Sequence, residues 1–557
     1  MFKVQLFSFN VKKKNKIHLI ISLLIILGIT SCKCRGKELR DTESTSENAG
    51  LFVKVGAIRW DAWVGERWSA GLEVERILLG ILMSNPDAAA VSDYHFRVPW
   101  FGIIQPNNKV LARYTDILTV EREMRFAKAA GIDYWAPVWY GDHNNTGGSL
   151  QRNLWIKSLQ RNSLQWCHTF DGNFHGAVGD CTTPGQKKLI SDMVAIDFES
   201  DAYVKTNSGR PVFFIHDAND SYATCVDALY AECALQGVPD PFVIIGTFEK
   251  NTDKINQVVA TCRASGISSY VVAGKDDLAY SANATMERER WSIWNNCNGV
   301  AVPTVTSGWD NRPRYYCGCP WYADMESLRN SWIQFPTPTE LQKQVEEAIR
   351  FTQDNPKATD FKSIIIYAWN EYDEGGFIAP TLFELQDRAN NGRPVKLDAI
   401  NRALQSFRVA YSDIDGHFAA NEIRQLASSS VFNGISKDQF RPDQVVNINE
   451  YTSWLIRTFG LYADVNVGNT KGAFAKEMAI AQALGILNGQ DANRLGKSRP
   501  IKDEEVVTLT ANVMKLLKMS ESDADAQRIF NSISESRFTR AKAAVMLNRC
   551  LELPFKR

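Results

Sequence analysis

The feature that most constrains this chain is a short apolar run that ends in a cluster of acids. The run 364–367 reads Ile-Ile-Ile-Tyr, and the segment Trp369-Asn370-Glu371-Tyr372-Asp373-Glu374 follows it almost directly. An apolar, β-branched run bounded by turn residues predicts a strand buried on both faces, as in a parallel sheet. Charged groups are costly to leave dry and unpaired at the end of such a strand. We therefore predict a functional site there.

Two glutamates three residues apart, Glu371 and Glu374, suit sugar chemistry. One carboxyl group can protonate a leaving oxygen while the other acts as a base or nucleophile. The neighbouring aromatic rings can stack on the apolar faces of a pyranose. The alternative is that both glutamates are solvated turn residues, but the buried strand before them and Gly375-Gly376 after them favour a site. We predict that both are catalytic.

Strand and helix patterns alternate along most of the chain, and this alternation predicts the fold. Repeated β-α alternation over about 350 residues favours an α/β protein with a (β/α)8 TIM barrel over an open sheet. The firm strands are predicted at 52–59, 132–140, 211–215, 242–247, 269–272, 302–306 and 364–367, with a doubtful strand or hairpin arm at 98–104.

Polar and aromatic residues recur just after these strands, where a closed barrel would bring them into one pocket. We predict that they bind substrate. They are Trp60, Asp61, Tyr140, His216, Asp217, Trp309, Asp310, Arg312, Asn370 and Tyr372. Two pairs of these residues have an alternative interpretation to substrate binding. His216 and Asp217 can be a capping pair, and Asp310 and Arg312 can be a structural ion pair.

Two segments carry a family resemblance that covers roughly 51–407. The segment 369–375 resembles the Trp-Asn-Glu-x-x-Glu-Gly motif of glycoside hydrolase family 99 and its relatives, which are TIM-barrel proteins that include endo-acting α-mannosidases. The segment 308–314, Gly-Trp-Asp-Asn-Arg-Pro-Arg, is similar to a second stretch of that group. The resemblance implies cleavage of an α-linked sugar with retention. Glu371 would be the base that helps the 2-hydroxyl attack, and Glu374 would be the acid and then the base.

The chain departs from the endomannosidases at Tyr372 and Asp373, where those enzymes commonly carry Trp and His. Two functions therefore remain: a hydrolase of α-linked glycans, with α-mannan as one candidate, or a non-catalytic glycan-binding or envelope-organising lipoprotein. Geometry discriminates between them, because catalysis needs both glutamates facing one cavity beside the rings of Trp60 and Trp309. A buried ion pair between either glutamate and an arginine would remove most support for the enzyme.

The N-terminus predicts export. Four lysines between Lys12 and Lys16 precede the apolar segment 17–29, which is short for a membrane span. Ile-Thr-Ser-Cys32 then resembles a lipobox, so 1–32 is predicted to be a lipoprotein signal peptide with a lipid on Cys32; an ordinary membrane anchor or signal peptide is the alternative. The polar segment 33–50 predicts a flexible tether. We expect a protein anchored to the membrane of the bacterial cell envelope.

The amino-acid composition limits the classes of partner and cofactor that we expect for this protein. Lys+Arg and Asp+Glu each number 63, so no overall charge points to nucleic acid. Eight of the 11 cysteines lie between Cys167 and Cys319, which suggests disulfides in an exported domain. The histidines are scattered, so we predict neither a metal site nor a cofactor.

The sequence changes character after about 408. Residues 411–423 resemble the opening of an S-layer homology repeat, the segment 479–489 suggests a second unit, and a third, partial unit ends at 538–542. The resemblance implies a smaller all-α domain at 409–557, whose usual ligand is an anionic cell-wall polymer read by a Thr-Arg-Ala-Glu-like motif. Only the third unit keeps Thr539-Arg540, so a purely structural or differently targeted module is an equal alternative.

Overall fold

A computed structural model gives the arrangement of most of the chain after residue 51. The residues it describes are 52–82, 94, 96–106, 110–139, 150–170, 181–320, 322–387, 392, 394–432, 434, 436, 438–465, 474–487, 499–519 and 522–551. The predicted signal peptide, the lipidation at Cys32, the tether and Tyr140 all lie outside these residues.

The first part of the described chain mixes helices with parallel sheets. Its strands are β1 Lys54–Arg59, β2 Ile103–Ile104, β3 Val110–Leu111, β4 Tyr134–Pro137, β5 Gln165–Trp166, β6 His168–Phe170, β7 Val212–Ile215, β8 Phe242–Gly246, β9 Gly266–Ser268, β10 Val300–Ala301, β11 Thr304–Thr306, β12 Ser363–Tyr367, β13 Asn370–Glu371 and β14 Gly376–Phe377.

Two five-stranded sheets form, with the strand orders β11-β12-β1-β4-β5 and β10-β9-β8-β7-β6. Every pairing within them is parallel. The sheets adjoin at both edges, because one residue separates β5 from β6 and two residues separate β10 from β11. The strands are almost wholly buried, as expected for parallel strands covered on both faces. Strands β2–β3 and β13–β14 form separate antiparallel hairpins.

Helices alternate with these strands. They are α1 Ser69–Leu82, α2 Ile117–Ala130, α3 Leu150–Lys157, α4 Pro184–Asp192, α5 Ala223–Gln236, α6 Thr252–Thr261, α7 Tyr280–Asn295, α8 Arg312–Cys317, α9 Glu326–Arg329, α10 Pro338–Asp354, α11 Leu382–Gln386 and α12 Val395–Arg408. Local signals fix several ends; Thr337 and Glu340 form a capping box that starts α10, for example. One continuous hydrophobic core runs from Val53 to Leu404.

The strand predictions were right for β1, β4, β7, β8, β12 and the 302–306 region, and wrong at two places. The segment 98–104 contributes only Ile103–Ile104, which pairs with β3 and joins neither parallel sheet. The segment 269–272 is not a strand, because the chain pairs with β8 earlier, at Gly266–Ser268. The strands at 165–170 were not predicted.

The second part of the described chain is helical. It contains α13 Ala420–Ser428, α14 Ile448–Phe459, α15 Ala475–Ala483, α16 Asp503–Leu516, α17 Ser522–Asn531 and α18 Arg540–Leu551. We call this part, 409–551, the helical unit. It has a separate hydrophobic core that runs from Ile414 to Cys550. Among all described residues, no helix combines the length and apolar character needed to cross a bilayer.

One disulfide joins Cys181 to Cys225, which agrees in part with the expectation from the cysteine count. It ties the segment before α4 to the first turn of α5. By contrast, Cys167, Cys233 and Cys262 are buried free thiols. The even number of cysteines therefore overstated the number of bridges.

Candidate active site

The acid cluster lies on a tight hairpin that follows β12. Within it Asn370 pairs with Phe377 and Glu371 pairs with Gly376. Two positions of this turn require glycine. Gly375 has φ +78°, in the left-handed region, and a Cβ at Gly376 would lie 2.0 Å from the ring of Tyr367. The hairpin therefore folds directly back over the end of its own strand.

Asn370 fastens this hairpin to the end of β1. Its Oδ1 accepts a hydrogen bond from the Trp60 main-chain N–H at 2.8 Å, and its Nδ2 donates to the Trp60 carbonyl at 2.8 Å. The side chain thus replaces a missing strand partner for Trp60 and orients Glu371, the next residue. The predicted role of Asn370 in substrate binding stays a prediction beside this structural role.

Arg314, from α8, lies among three carboxylates. Its Nε and Nη2 contact Asp373 Oδ2 at 2.8 and 2.7 Å, and its Nη1 donates to Glu374 Oε1. Its Nη2 is 3.8 Å from Glu371 Oε2. All four side chains are buried, with at most 7% of any of them exposed. Because one guanidinium reaches both glutamates, the two predicted catalytic residues do lie together.

Tyrosine hydroxyls supply the remaining hydrogen bonds of the cluster. Tyr270 donates to Glu371 Oε1 at 2.6 Å. Tyr322 donates to Glu374 Oε1 at 3.2 Å, and Tyr367 donates to Glu374 Oε2. Glu374 therefore has both oxygens hydrogen-bonded, whereas Glu371 Oε2 has no hydrogen-bond partner among the described residues.

Burial gives this pair an unusual affinity for protons. It raises the pKa of Glu371 well above the usual range, and the charges of Glu374 and Asp373 add to the effect. Burial also raises the pKa of Glu374, although Arg314 acts in the opposite direction. Interacting carboxyl groups titrate as a unit. Three buried acids around one arginine cannot all ionise cheaply, so the glutamate pair retains a proton more readily than free glutamates do.

Aromatic rings and one histidine surround the cluster. Arg314 lies 5.5 Å from the ring centre of Trp60, and the rings of Trp309 and Tyr367 are 5.6 Å apart. His216 packs edge-on against Tyr270 at 5.0 Å. Burial lowers the pKa of His216 to about 3, so its imidazole is neutral at physiological pH. Neither ring nitrogen has a hydrogen-bond partner among the described residues.

Asp61 belongs to a neighbouring ion network and also has an unused oxygen. Arg59 Nε donates to Asp61 Oδ1 at 2.6 Å, and Arg59 also pairs with Glu123. Burial raises the pKa of Asp61 to about 6. Its Oδ2 has no hydrogen-bond partner among the described residues. The amide of Asn370, 3.4 Å from Oδ1, connects this network to the acid hairpin.

Three predicted binding residues have other contacts. Asp310 and Arg312 form the structural ion pair that was the alternative, at 2.7 to 2.8 Å, and Arg97 also pairs with Asp310. Tyr372 is fully buried and donates to the Pro380 carbonyl at 2.9 Å, so it is a core residue. Asp217 is exposed, in a turn with φ +53°.

The sequence did not single out Arg314 or the three tyrosines as site residues. Arg314 was visible as the last residue of the Gly-Trp-Asp-x-x-Pro-Arg segment, but nothing local indicated that it faces the acids. The sequence pattern predicts a strand at 269–272 and so conceals Tyr270, which follows β9. Tyr367 ends β12, so its position after an apolar run was an available signal.

One observation weighs against catalysis. The pairing of Glu374 with Arg314 is the buried ion pair that would remove most support for an enzyme. Only 6% of Glu374 and 2% of Glu371 is exposed. Asp373 reduces the weight of this observation, because it makes two further short contacts with Arg314 and balances part of its charge.

Comparisons with known proteins give limited matches. Residues 410–447 match the S-layer homology domain. A family GH99 endo-α-mannosidase from Bacteroides thetaiotaomicron, solved with bis-tris propane, has a TM-score of 0.39 and 16% identity, covering 64% of this chain and 99% of that one. A second structure of that enzyme has a TM-score of 0.35 and 17% identity, covering 59% and 88%.

A family GH138 enzyme targeting the pectin rhamnogalacturonan II has a TM-score of 0.31 and 9% identity, covering 90% of this chain and 70% of its own. No curated protein matches the chain. The chain is thus similar to family GH99 endo-α-mannosidases and carries a match to the S-layer homology domain.

Proposed function

We propose that this protein is a glycoside hydrolase of the cell envelope that cleaves α-linked glycans with retention. The observation that carries the proposal is the pair Glu371 and Glu374 around Arg314, in which the pKa of each glutamate is raised. A pair that holds one proton between two carboxyl groups has an acid and a base at once, and glycosidic cleavage requires both.

Glu374 would donate the proton to the leaving oxygen, and Glu371 would act as the base toward the sugar's 2-hydroxyl. The charge of Asp373, which contacts Arg314 at 2.7 and 2.8 Å, partly offsets the effect of Arg314 in lowering the pKa of Glu374. Because the pKa of Glu371 is raised further, this assignment requires the proton to pass from Glu371 to Glu374 when substrate binds. The unused nitrogens of His216 and the unused oxygen of Asp61 are candidate hydrogen-bonding groups for sugar hydroxyls.

The same proposal includes the barrel and the division of the chain. The run 165–170 contributes β5 to one sheet and β6 to the other, and 300–306 contributes β10 and β11 in the same way. Joining the sheets at these two places would give a closed (β/α)8 barrel, within a domain at 51–408. Its strands' carboxyl ends would then surround the acid hairpin.

Envelope location is supported by the match to the S-layer homology domain. The helical unit would lie in a domain at 409–557, and an anionic cell-wall polymer is the partner that the match suggests. A lipid on Cys32 would add a membrane anchor. Metabolic labelling with palmitate tests this last point: the wild type should be labelled and Cys32→Ser should not, whereas equal labelling would exclude Cys32 as the acceptor.

The decisive experiment is hydrolysis of a panel of α-linked glycans, mannans included, by the wild type and Glu374→Gln. We expect oligosaccharide release by the wild type and a loss of about 10² or more in the variant, the usual contribution of a general acid. Glu287→Gln is the matched control, because Glu287 is equally buried but lies on α7 and contacts Gln344 and Thr306. It should retain full activity.

The second candidate is a non-catalytic glycan receptor, favoured by the buried Arg314–Glu374 ion pair. In that case neither the wild type nor Glu374→Gln would cleave any glycan, while both would bind one with similar affinity. Calorimetric titration with the same oligosaccharides distinguishes this result from a protein that does not bind glycans at all.

A further inference from the structure

Arg408, the last residue of α12, links the helical unit to the amino ends of β1 and β4. Arg408 Nη1 donates to the carbonyls of Gly131 and Ser428, both at 2.9 Å. Its Nη2 donates to the Val53 carbonyl at 3.1 Å and to the carboxylate of Asp133. Val53 precedes β1, Gly131 and Asp133 precede β4, and Ser428 ends α13. The side chain, 6% exposed, therefore joins the two parts of the protein.

A second set of contacts follows α14, and it uses the main chain. The N–H of Asn162 donates to the Gly460 carbonyl at 3.2 Å, and the N–H of Tyr462 donates to the Leu159 carbonyl at 2.7 Å. The guanidinium carbon of Arg161 lies 3.2 Å from the ring centre of Tyr462. These residues of the α/β region immediately precede β5, so the contact again lies at the amino ends of the strands.

Gly460 allows the two parts to approach this closely. A Cβ at this position would lie 2.2 Å from Ser163 Oγ and 2.3 Å from the Ser163 main-chain nitrogen. Real Cβ atoms do not come so near to a backbone, so any other residue would force the parts away from each other. Gly460 also has φ +57°, as expected for the residue that ends a helix in the left-handed conformation.

The basic residue retained from the wall-binding motif is used inside the helical unit. Arg540 is 1% exposed and pairs with Glu450. Its guanidinium carbon lies 4.5 Å from the ring centre of Phe440 and 4.9 Å from that of Trp454. A side chain held in this way is not displayed on the surface for an anionic polymer.

We propose that the helical unit is a fixed structural base for the α/β region, and that any polymer bound by this unit is not read by Arg540. The helical unit contacts the chain before β5 directly and the chain before β1 and β4 through Arg408, whereas the acid hairpin follows the carboxyl end of β12, which runs parallel to β1. The base therefore holds the acid cluster at the opposite end of the strands from itself. The proposal is independent of whether the acids are catalytic.

The test compares Gly460→Ala with Gly485→Ala in the full chain. Gly460 directly follows α14 with φ +57° and Gly485 lies two residues after α15 with φ +70°, but an added Cβ at Gly485 meets nothing within 4 Å. The strain of placing alanine at positive φ is thus similar in the two variants, and only Gly460→Ala adds the clash. We expect its thermal midpoint to fall several-fold further, with faster hydrogen exchange at 159–163. Equal shifts and unchanged exchange would overturn the proposal.

Tyr462→Ala is the milder variant if Gly460→Ala does not fold. It should speed hydrogen exchange at 159–163 and 131–133 and lower the thermal midpoint of the single unfolding transition. Phe418→Ala is its control, because Phe418 is a 54% exposed aromatic residue of the same unit. Two separate unfolding transitions in the wild type, or equal exchange in the two variants, would contradict a fixed base.

Discussion

Replacing Arg314 with methionine would test the charge balance of the acid cluster. The substitution keeps an unbranched side chain but removes the only cation paired with the carboxylates of Glu371, Asp373 and Glu374 among the described residues. The three acids, at most 7% exposed, would then be buried with no cation paired to their carboxylates. Such a change should make the protein's stability strongly dependent on pH.

The magnitude follows from the contacts. Removing one partner of a buried ion pair costs about 3–5 kcal/mol, because an uncompensated charge remains. The cluster can avoid part of this cost by binding protons, at about 1.4 kcal/mol per pH unit for each proton. One additional proton bound over roughly three pH units is worth about 4 kcal/mol, which agrees with the ion-pair estimate. Arg314→Met should therefore lose nearly all of this unfolding free energy at about pH 8 and only a small part of it at about pH 5.

The sign depends on the folded-state pKa values of the acids. The pKa of Glu371 and of Glu374 is already raised in the wild type, and losing Arg314 raises both further. When the pKa of a group is higher in the folded state than in the unfolded state, the native protein binds more protons than the unfolded chain does. Their contribution to stability is present below the unfolded-state pKa, about 4.3, and is lost as pH rises through the folded-state pKa.

Urea unfolding followed by tryptophan fluorescence at several pH values measures this effect. Arg312→Met is the control, because Arg312 pairs with Asp310, which keeps Arg97 as a second partner. Its cost should be about 1 kcal/mol and independent of pH, as for a partly exposed pair. If Arg314→Met lost the same free energy at about pH 5 and about pH 8, the charge balance inferred for the cluster would be wrong.

Three further predictions concern single side chains. Burial raises the pKa of Glu287 to about 8, so wild-type stability should fall as pH rises from about 4.3 to about 8, whereas Glu287→Gln should lack this fall and be the more stable protein, by its urea midpoint, at neutral pH. Cys225→Ser opens the 44-residue loop to Cys181 and should cost at most about 4 kcal/mol, with a lowered thermal midpoint that reducing agent does not lower further. His216→Phe keeps the ring packing against Tyr270 and should leave the midpoint unchanged, while it weakens oligosaccharide binding about tenfold, the value of one lost hydrogen bond.

The local parts of the fold were predictable because their signals are local. The apolar run 364–367 is β12, and the acids do follow its carboxyl end. The strands at 165–170 were missed because Gln-Trp-Cys-His-Thr-Phe lacks an aliphatic β-branched run. Aromatic packing stabilises them instead: Trp166 meets Tyr203 at 4.9 Å and Phe170 meets Phe213 at 4.3 Å between ring centres.

The site was predictable only in part, for a different reason. The pair Glu371 and Glu374 could be identified from spacing alone, and the structure does bring the two together around Arg314. The contacts of Asn370 and Tyr372 could not be predicted in this way, because their partners lie far along the chain or inside the core. The same is true of Arg314, whose role depends on α8 lying against a hairpin about 60 residues later.

The hydrogen bonds between Asn370 and Trp60 span 310 residues, and β1 pairs with β12 over a similar separation. During synthesis, β1 emerges long before the strand that completes its edge. At roughly 5–20 residues per second, that edge would stay unpaired for on the order of 15–60 seconds. An unpaired, apolar strand edge is a template for aggregation. Biogenesis of this protein should therefore depend on factors that keep the early chain from pairing prematurely, and premature termination before 363 should yield insoluble fragments.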